Sequence, residues 1–288
     1  MLNLYLSAIL LGLGFASLSI GIFISMRIFN IPDITTDGSF TLGGAVTAVL
    51  LSSGWNGWFV LPLVFLTGAG AGAITGLIHT RLKVNALLSG ILVMTALYSI
   101  NLAIMGKSNI PLINLPTIFS SFSFFSDSML LQLTVLGIII LILWIKVSWL
   151  LKTDFGLAMR ATGNNETMVR ALGVNTKNMK TAGLALANGF TALSGFLITQ
   201  VQGFADINMG IGIVILGLGS VMIGEIILKL FRVSAITIHL LGVIGGSILF
   251  RIILAFALSA GIDALYLKLV VAVFVLLVVS IPNLKRTE

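Results

Sequence analysis

Charged residues that interrupt apolar runs are the first places to look for chemistry, and this chain has four: Lys146, Glu225, Arg251 and Lys268. An embedded carboxylate is what a proton- or sodium-coupled carrier uses, and Glu225 is the one candidate in those runs. All four lie within about six residues of an expected helix end, where long side chains can reach the interface. Glu225 also has Lys229 one helical turn on, a favourable pair. Structural roles are the simpler account of them. The stretch MGKS at 105–108 has the tail of a phosphate-binding loop. Such a loop needs glycine at position 101, which is Asn101, and a strand before it. His79 and His239 have no HExxH pattern and no nearby carboxylate cluster, so a hydrogen-bonded interfacial role is expected. Cysteine is absent, which removes disulfides and thiolate metal sites. No nucleophile elbow or paired intramembrane aspartates appear. The residues make no case for an enzyme, a metal or a cofactor.

The densest group of polar residues is DFGLAMRATGNNETMVRALGVNTKNMK, Asp154 to Lys180. Six charges fall in those 27 residues, while the whole chain is 9% charged. Residues 164–173 read as a complete short helix. Asn164 can cap its start, Glu166 complements the positive end of its dipole, and Gly173 suits a left-handed stop. Met168, Ala171 and Leu172 form an apolar face at helical spacing. So short a helix is marginal alone, so it needs a surface to lean on.

The elements that must hold this segment are hydrophobic. The 288 residues are 58% hydrophobic with mean hydropathy +1.16, far from the roughly 25% charged composition of soluble domains. Apolar runs near 4–26, 38–52, 58–79, 86–105, 129–150, 178–201, 210–228, 235–257 and 263–281 fit spanning helices. The second is short and glycine-rich, so a broken or tilted helix is expected there. No Lys or Arg precedes the first run, which therefore reads as a retained helix rather than a secretion signal. Nine crossings alternate sides. If 27–37 is cytoplasmic, the inner loops hold Arg27, Arg81, Lys83, Lys152, Arg160, Arg170, Lys177, Lys180, Lys229, Arg232, Lys285 and Arg286, against Lys107 alone outside. The positive-inside rule then puts the N-terminus outside and the C-terminus and polar segment in the cytoplasm. A pI near 10 could suggest nucleic acid. These cations are scattered over short loops without interleaved aromatic residues, so topology explains them and nucleic acid is excluded.

A repeat is legible. IPDI at 31–34 and FADI at 204–207 each follow an apolar run and precede a glycine-rich one, and at the same offset AGAI at 71–74 faces IGGS at 244–247. The two turns fall on opposite sides. About 4–105 and 178–281 are thus expected to be inverted repeats of four helices, with the fifth as connector and a cytoplasmic loop at 151–177, all in one domain spanning 1–288. Inverted repeats are a transporter pattern. Gly68, Gly72 and Gly76 form a doubled small-xxx-small face, and Gly242 with Gly246 another, both suited to close helix packing.

The polar segment resembles the cytoplasmic coupling loop of ABC importer permeases of the ribose and branched-chain amino-acid class. FNIPDITTDGSFTLGGAV, LIHTRLKVNALLSGILVMTALYSINLAIMG and QGFADINMGIGIVILGLGSVMIGE are similar to the subgroup paired with tryptophan- or tyrosine-type binding proteins. The resemblance runs along nearly the whole chain. It implies an all-α permease of a bacterial inner or plasma membrane, surrounded by lipid. Implied partners are a second permease copy, two ATP-binding cassette ATPase subunits and an extracytoplasmic solute-binding protein. It puts ATPase coupling at Arg160, Asn164, Glu166, Arg170, Gly173 and Asn175. Ribose-type members have one further N-terminal helix, and the resemblance gives no role to the outer loop at 106–128, which holds PLINLPTIFSSFSFFSD. Asn101, Gln200 and Gln202, polar near outer segment ends, are the expected pathway contacts. The rival reading is an ion-coupled secondary transporter or channel acting without an ATPase.

Overall fold

The computed structural model describes residues 2–122, 128–231 and 235–284. Its architecture is helical throughout: α1 Leu2–Ile22, α2 Thr35–Ser52, α3 Gly57–Arg81, α4 Ala86–Met105, α5 Ser128–Lys152, α6 Asp154–Asn164, α7 Glu166–Ala171, α8 Thr176–Gln202, α9 Ile213–Leu230, α10 Ile236–Ser259 and α11 Leu267–Leu284. A π-helix, Phe23–Ile28, continues α1. The apolar runs read from the sequence fall on α1–α5 and α8–α11. Among the described residues six helices are long and apolar enough to cross a membrane: α1 with its π extension, α3, α4, α5, α8 and α10. Helices α2 and α9 have 18 residues each, about 27 Å at 1.5 Å per residue. Arg232, Lys285 and Arg286 of the cation asymmetry, and positions 123–127 of the outer loop, lie outside the described residues.

Helix α8 is the axis of the packing. From Ala187 to Gln200 every one of its residues is buried, and α1, α2 and α3 all lie against it. The doubled glycine face of α3 does what its spacing suggested. A Cβ on Gly72 would overlap the Leu184 carbonyl, and one on Gly76 the Thr181 backbone, both on α8. Gly246 of α10 meets the Ser220 carbonyl of α9 in the same way. With backbones this close, hydroxyls cross between helices. Ser17 donates to the Phe190 carbonyl (2.7 Å), Ser194 to that of Gly14 (2.8 Å) and Ser247 to that of Gly12 (2.8 Å). On the other side, Leu66 of α3, Leu92 of α4, Ile138 and Leu141 of α5 and Leu276 of α11 are exposed. Such apolar faces call for an apolar solvent.

At the opposite end from α6 and α7, β1 (Asn109–Pro111) pairs antiparallel with β2 (Phe204–Asp206), Ile110 opposite Ala205. MGKS contributes Gly106, the left-handed C-cap of α4 at φ 65°, so its glycine stops a helix. The polar segment differs from its expected form. Two helices stand where one was read, and Asn164 closes α6 while Asn165, in extended conformation, caps α7. Two adjacent asparagines can both cap; the chain reverses at the second.

Candidate functional site

The α6–α7 excursion is held on two sides. Thr153 caps α6 through Gly156 N–H, and Met159 is fully buried. Gly163 lies against the Ile28 carbonyl with no room for a Cβ, and the Asn30 amide donates to the Gly163 carbonyl at 3.1 Å. The end of the π-helix therefore sits directly on α6. In α7, Asn165 Oδ1 accepts from Met168 N–H (3.0 Å) and from the Thr167 hydroxyl (2.8 Å). Glu166 is the tie to α8. Its Oε1 accepts from Arg170 (2.7 Å) and Thr176 (3.0 Å), and its Oε2 from Lys180 Nζ (2.5 Å). The Lys180 hydrogen bond, foremost among these, holds the Glu166 carboxyl below the usual glutamate range. Gly173 ends the turn at φ 85°, and Asn175 caps α8 through Asn178 N–H (3.2 Å).

Three large apolar side chains of this excursion lie exposed among the described residues. Met168 is 60% exposed, Leu172 71% and, on α6, Leu157 57%, while Val169 between them is buried. The residues expected at the coupling contact divide accordingly. Glu166 and Arg170 pair with each other, and Gly173 and Asn175 shape turns. Arg160 and Asn164 line a separate cavity of about 400 Å³ with Arg27, Asn30, Glu225 and His239.

Within the bundle the structure adds a polar seam, of which the sequence reading placed Asp33, Thr35 and Asp37 in a loop. Asp33 is fully buried. Its Oδ1 accepts from Thr35 N–H (2.9 Å) and its Oδ2 from the Asn188 amide (2.7 Å). Asn188 Oδ1 accepts from Ser39 (2.7 Å), and Thr35 shares a proton with Thr75 (2.8 Å). Asp37, one turn on, accepts from Gly212 N–H and Val214 N–H, both at 2.9 Å, and so caps α9 from α2. Glu225 is thus one of three buried carboxylates among the described residues. Its partner is Arg27 on the π-helix, not Lys229.

Arg251 does not reach an end of α10; its guanidinium lies over the Phe15 ring of α1. The three residues expected along a pathway have different surroundings. Asn101 is buried and donates to the Gly38 carbonyl (3.2 Å). Gln200 is buried and accepts from Ile118 N–H (2.9 Å), fastening the 112–122 segment. Gln202 is exposed. His79 Nδ1–H donates to the Val84 carbonyl (2.9 Å), a hydrogen-bonded role as expected.

Apolar outer faces, glycine-tight helix contacts and a capped polar excursion together define a multi-pass membrane protein of the permease kind. The profile of the family "Branched-chain amino acid transport system / permease component" matches residues 2–280. The chain belongs to this family, one of ABC importer permeases. It is 37% identical over 267 residues to the tyrosine transport system permease protein of Clostridioides difficile, covering 93% of this chain and 87% of that one. An uncharacterised protein of Rickettsia prowazekii is 33% identical over 288 residues, all of both chains. The ribose import permease protein of Haemophilus influenzae is 27% identical over 204 residues, covering 67% of this chain and 59% of that one. No solved structure gives a significant match.

Proposed function

We propose that this permease carries an aromatic amino acid inward and takes its drive from ATPase subunits that dock on α7. The exposed edge of Met168, Leu172 and Leu157 carries this reading. A six-residue helix is far too short to hold itself, yet this one is tied down at Asn165, Glu166 and Gly173 with its apolar side outward. That is how a lever meant for a partner's groove is built. The relative named for tyrosine transport supports the solute.

The topology we infer has nine crossings, with α2 and α9 as the short ones, the N-terminus outside and α6–α7 in the cytoplasm. The cation asymmetry favours it. Two inverted repeats, α1–α4 and α8–α11 around α5, agree with the packing: α3 lies along α8 as α10 lies along α1, and α2 lies on α3 as α9 on α10. The reciprocal serine bonds between α1 and α8 fit the same two-fold relation. A second copy completes the path, an extracytoplasmic binding protein delivers solute, and the chain itself makes and breaks no covalent bond.

The rival ion-coupled reading gains Asp33 and Asp37 as embedded carboxylates. Both oxygens of each already accept hydrogen bonds from neutral donors, which suits a structural tie. The deciding experiment reconstitutes the permease with its ATPase subunits and binding protein and measures tyrosine uptake. ATP-dependent uptake supports the proposal. Uptake without ATPase subunits that a protonophore abolishes would move the assignment to the rival. Orientation is checked separately in the cysteine-free chain: labelling of Asn165→Cys in intact cells by an impermeant thiol reagent would reverse it.

A further inference from the structure

Arg251 stands eight residues before the end of α10, about 12 Å inside it. Its guanidinium carbon is 3.9 Å from the centroid of the Phe15 ring, which stacks in turn on Phe40 at 5.6 Å. Among the described residues Arg251 makes no ion pair. It opens into a cavity of about 210 Å³ between α9, α10 and α11. Gly212, Ile215, Leu216 and Leu254 line that cavity, and Lys268 is the other charge in it. Two cations, no acid and otherwise apolar walls make an unbalanced site. A ring beneath a cation offsets part of the cost of holding charge in the membrane. What completes the balance is an anion, and a guanidinium's planar fork fits a carboxylate with two parallel hydrogen bonds. Lys268, exposed at the first turn of α11, supplies a second attraction at the rim. The volume is below the roughly 300 Å³ of a complete small-molecule pocket, so the cavity suits one end of a solute.

We propose that the Arg251 cavity is an anion-recognition subsite that receives the carboxylate of the transported solute. The identity of that solute rests on the transport reading above; the anion chemistry of the cavity does not. A phospholipid phosphate is the other source of such an anion, and the test separates the two.

The full-length permease in phosphatidylcholine nanodiscs is treated with phenylglyoxal, which modifies arginine, and labelling of the Arg251 peptide is followed by mass spectrometry. Millimolar 4-hydroxyphenylpropionate, a carboxylate without an amine, slows labelling at Arg251 several-fold, whereas tyramine, the amine without a carboxylate, leaves it unchanged. Equal labelling under all three conditions overturns the subsite. Protection that appears only when phosphatidylglycerol replaces phosphatidylcholine assigns the cavity to lipid and overturns it for solute. In the reconstituted importer, Arg251→Gln raises the KM for tyrosine roughly 10- to 100-fold, the effect of losing a charged hydrogen-bond partner, while Arg251→Lys stays closer to wild type. A wild-type KM in Arg251→Gln also overturns the proposal. If the wild type carries no tyrosine, the solute assignment fails, and the labelling result still decides the subsite. If Arg251→Gln does not assemble, labelling of the wild type decides it alone.

Discussion

Asp33 and Glu166 are both carboxylates at the centre of a hydrogen-bonded cluster, and their surroundings are opposite. Asp33 is fully buried and takes its bonds from a backbone N–H and the Asn188 amide, both neutral. The Glu166 side chain is about a third exposed and is met by Lys180, Arg170 and Thr176. In a dry interior a cation beside Asp33 would bring a second desolvation cost that its attraction need not recover. Neutral donors in fixed positions satisfy both of its oxygens without that cost. At the wet end, ion pairs form easily and are individually weak. The seam therefore fixes which helices meet, while the excursion is held firmly enough to keep its shape and lightly enough to respond to a partner.

Asn188→Leu attacks the dry side and has the largest expected effect. It takes the amide donor from Asp33 and the acceptor from Ser39, leaving buried polar atoms unpaired at a cost of roughly 3 kcal/mol or more. Thermal unfolding of the purified permease measures this, and an unchanged midpoint would erase the contrast between the two regions. Gly163→Ala comes next and strikes the joint between them. The new methyl has no space against the Ile28 carbonyl, so α6 must shift, costing about 1–3 kcal/mol. Faster amide exchange over residues 155–171, with the seam still protected, is the expected result.

Glu166→Lys reverses the wet cluster. Each exposed pair lost is worth about 0–1 kcal/mol, and the reversed charge opposes the α7 dipole by roughly 0.3–1 kcal/mol. The bundle should insert normally while solute-stimulated ATP hydrolysis is lost; coupling at the wild-type level would reduce α7 to a surface loop. The same carboxylate gives a pH dependence with a definite sign. Its folded-state pKa lies below the ordinary glutamate value of 4.5. The stability it adds is present above that value and is lost as pH falls through the lower folded-state pKa. Amide protection factors across residues 166–176, which remove the intrinsic pH dependence of exchange, should therefore be flat from neutrality down to about 4.5 and fall only in more acid solution. The smallest effect on stability belongs to Met168→Glu combined with Leu172→Glu. Both positions are exposed, so the change is within about 0.5 kcal/mol, yet the ATPase subunits should no longer co-purify.

Much of this was legible because it is local. The spacing of Gly68, Gly72 and Gly76 already described a face for another helix, and Gly173 already described a left-handed stop. The misreadings share a physical cause. Glu225 was assigned to Lys229 because a sequence shows partners one turn away; Arg27, on the π-helix that continues α1, is brought to it by the packing of α1 on α9. Asp33 and Asp37 were placed in a loop because the apolar run starts at 38. Their burial comes from α8 and α9, more than 150 residues away. Helix α6 was missed because DFGLAMRATGN is short and has two glycines, and its order comes from the burial of Met159 and the seating of Gly163 on Ile28. The bonds of Asn101 to Gly38 and of Gln200 to Ile118 are tertiary too, and no spacing shows them.

The bond from Asp37 to Gly212 spans 175 residues of sequence, and this sets a problem for the ribosome. At roughly 5–20 residues per second, α2 emerges on the order of ten to thirty seconds before the first turn of α9 exists. For that interval Asp37 lacks the N–H groups of α9 and Asp33 lacks the Asn188 amide, so the bonds that fix α2 in the bundle form only after α8 and α9 have been translated.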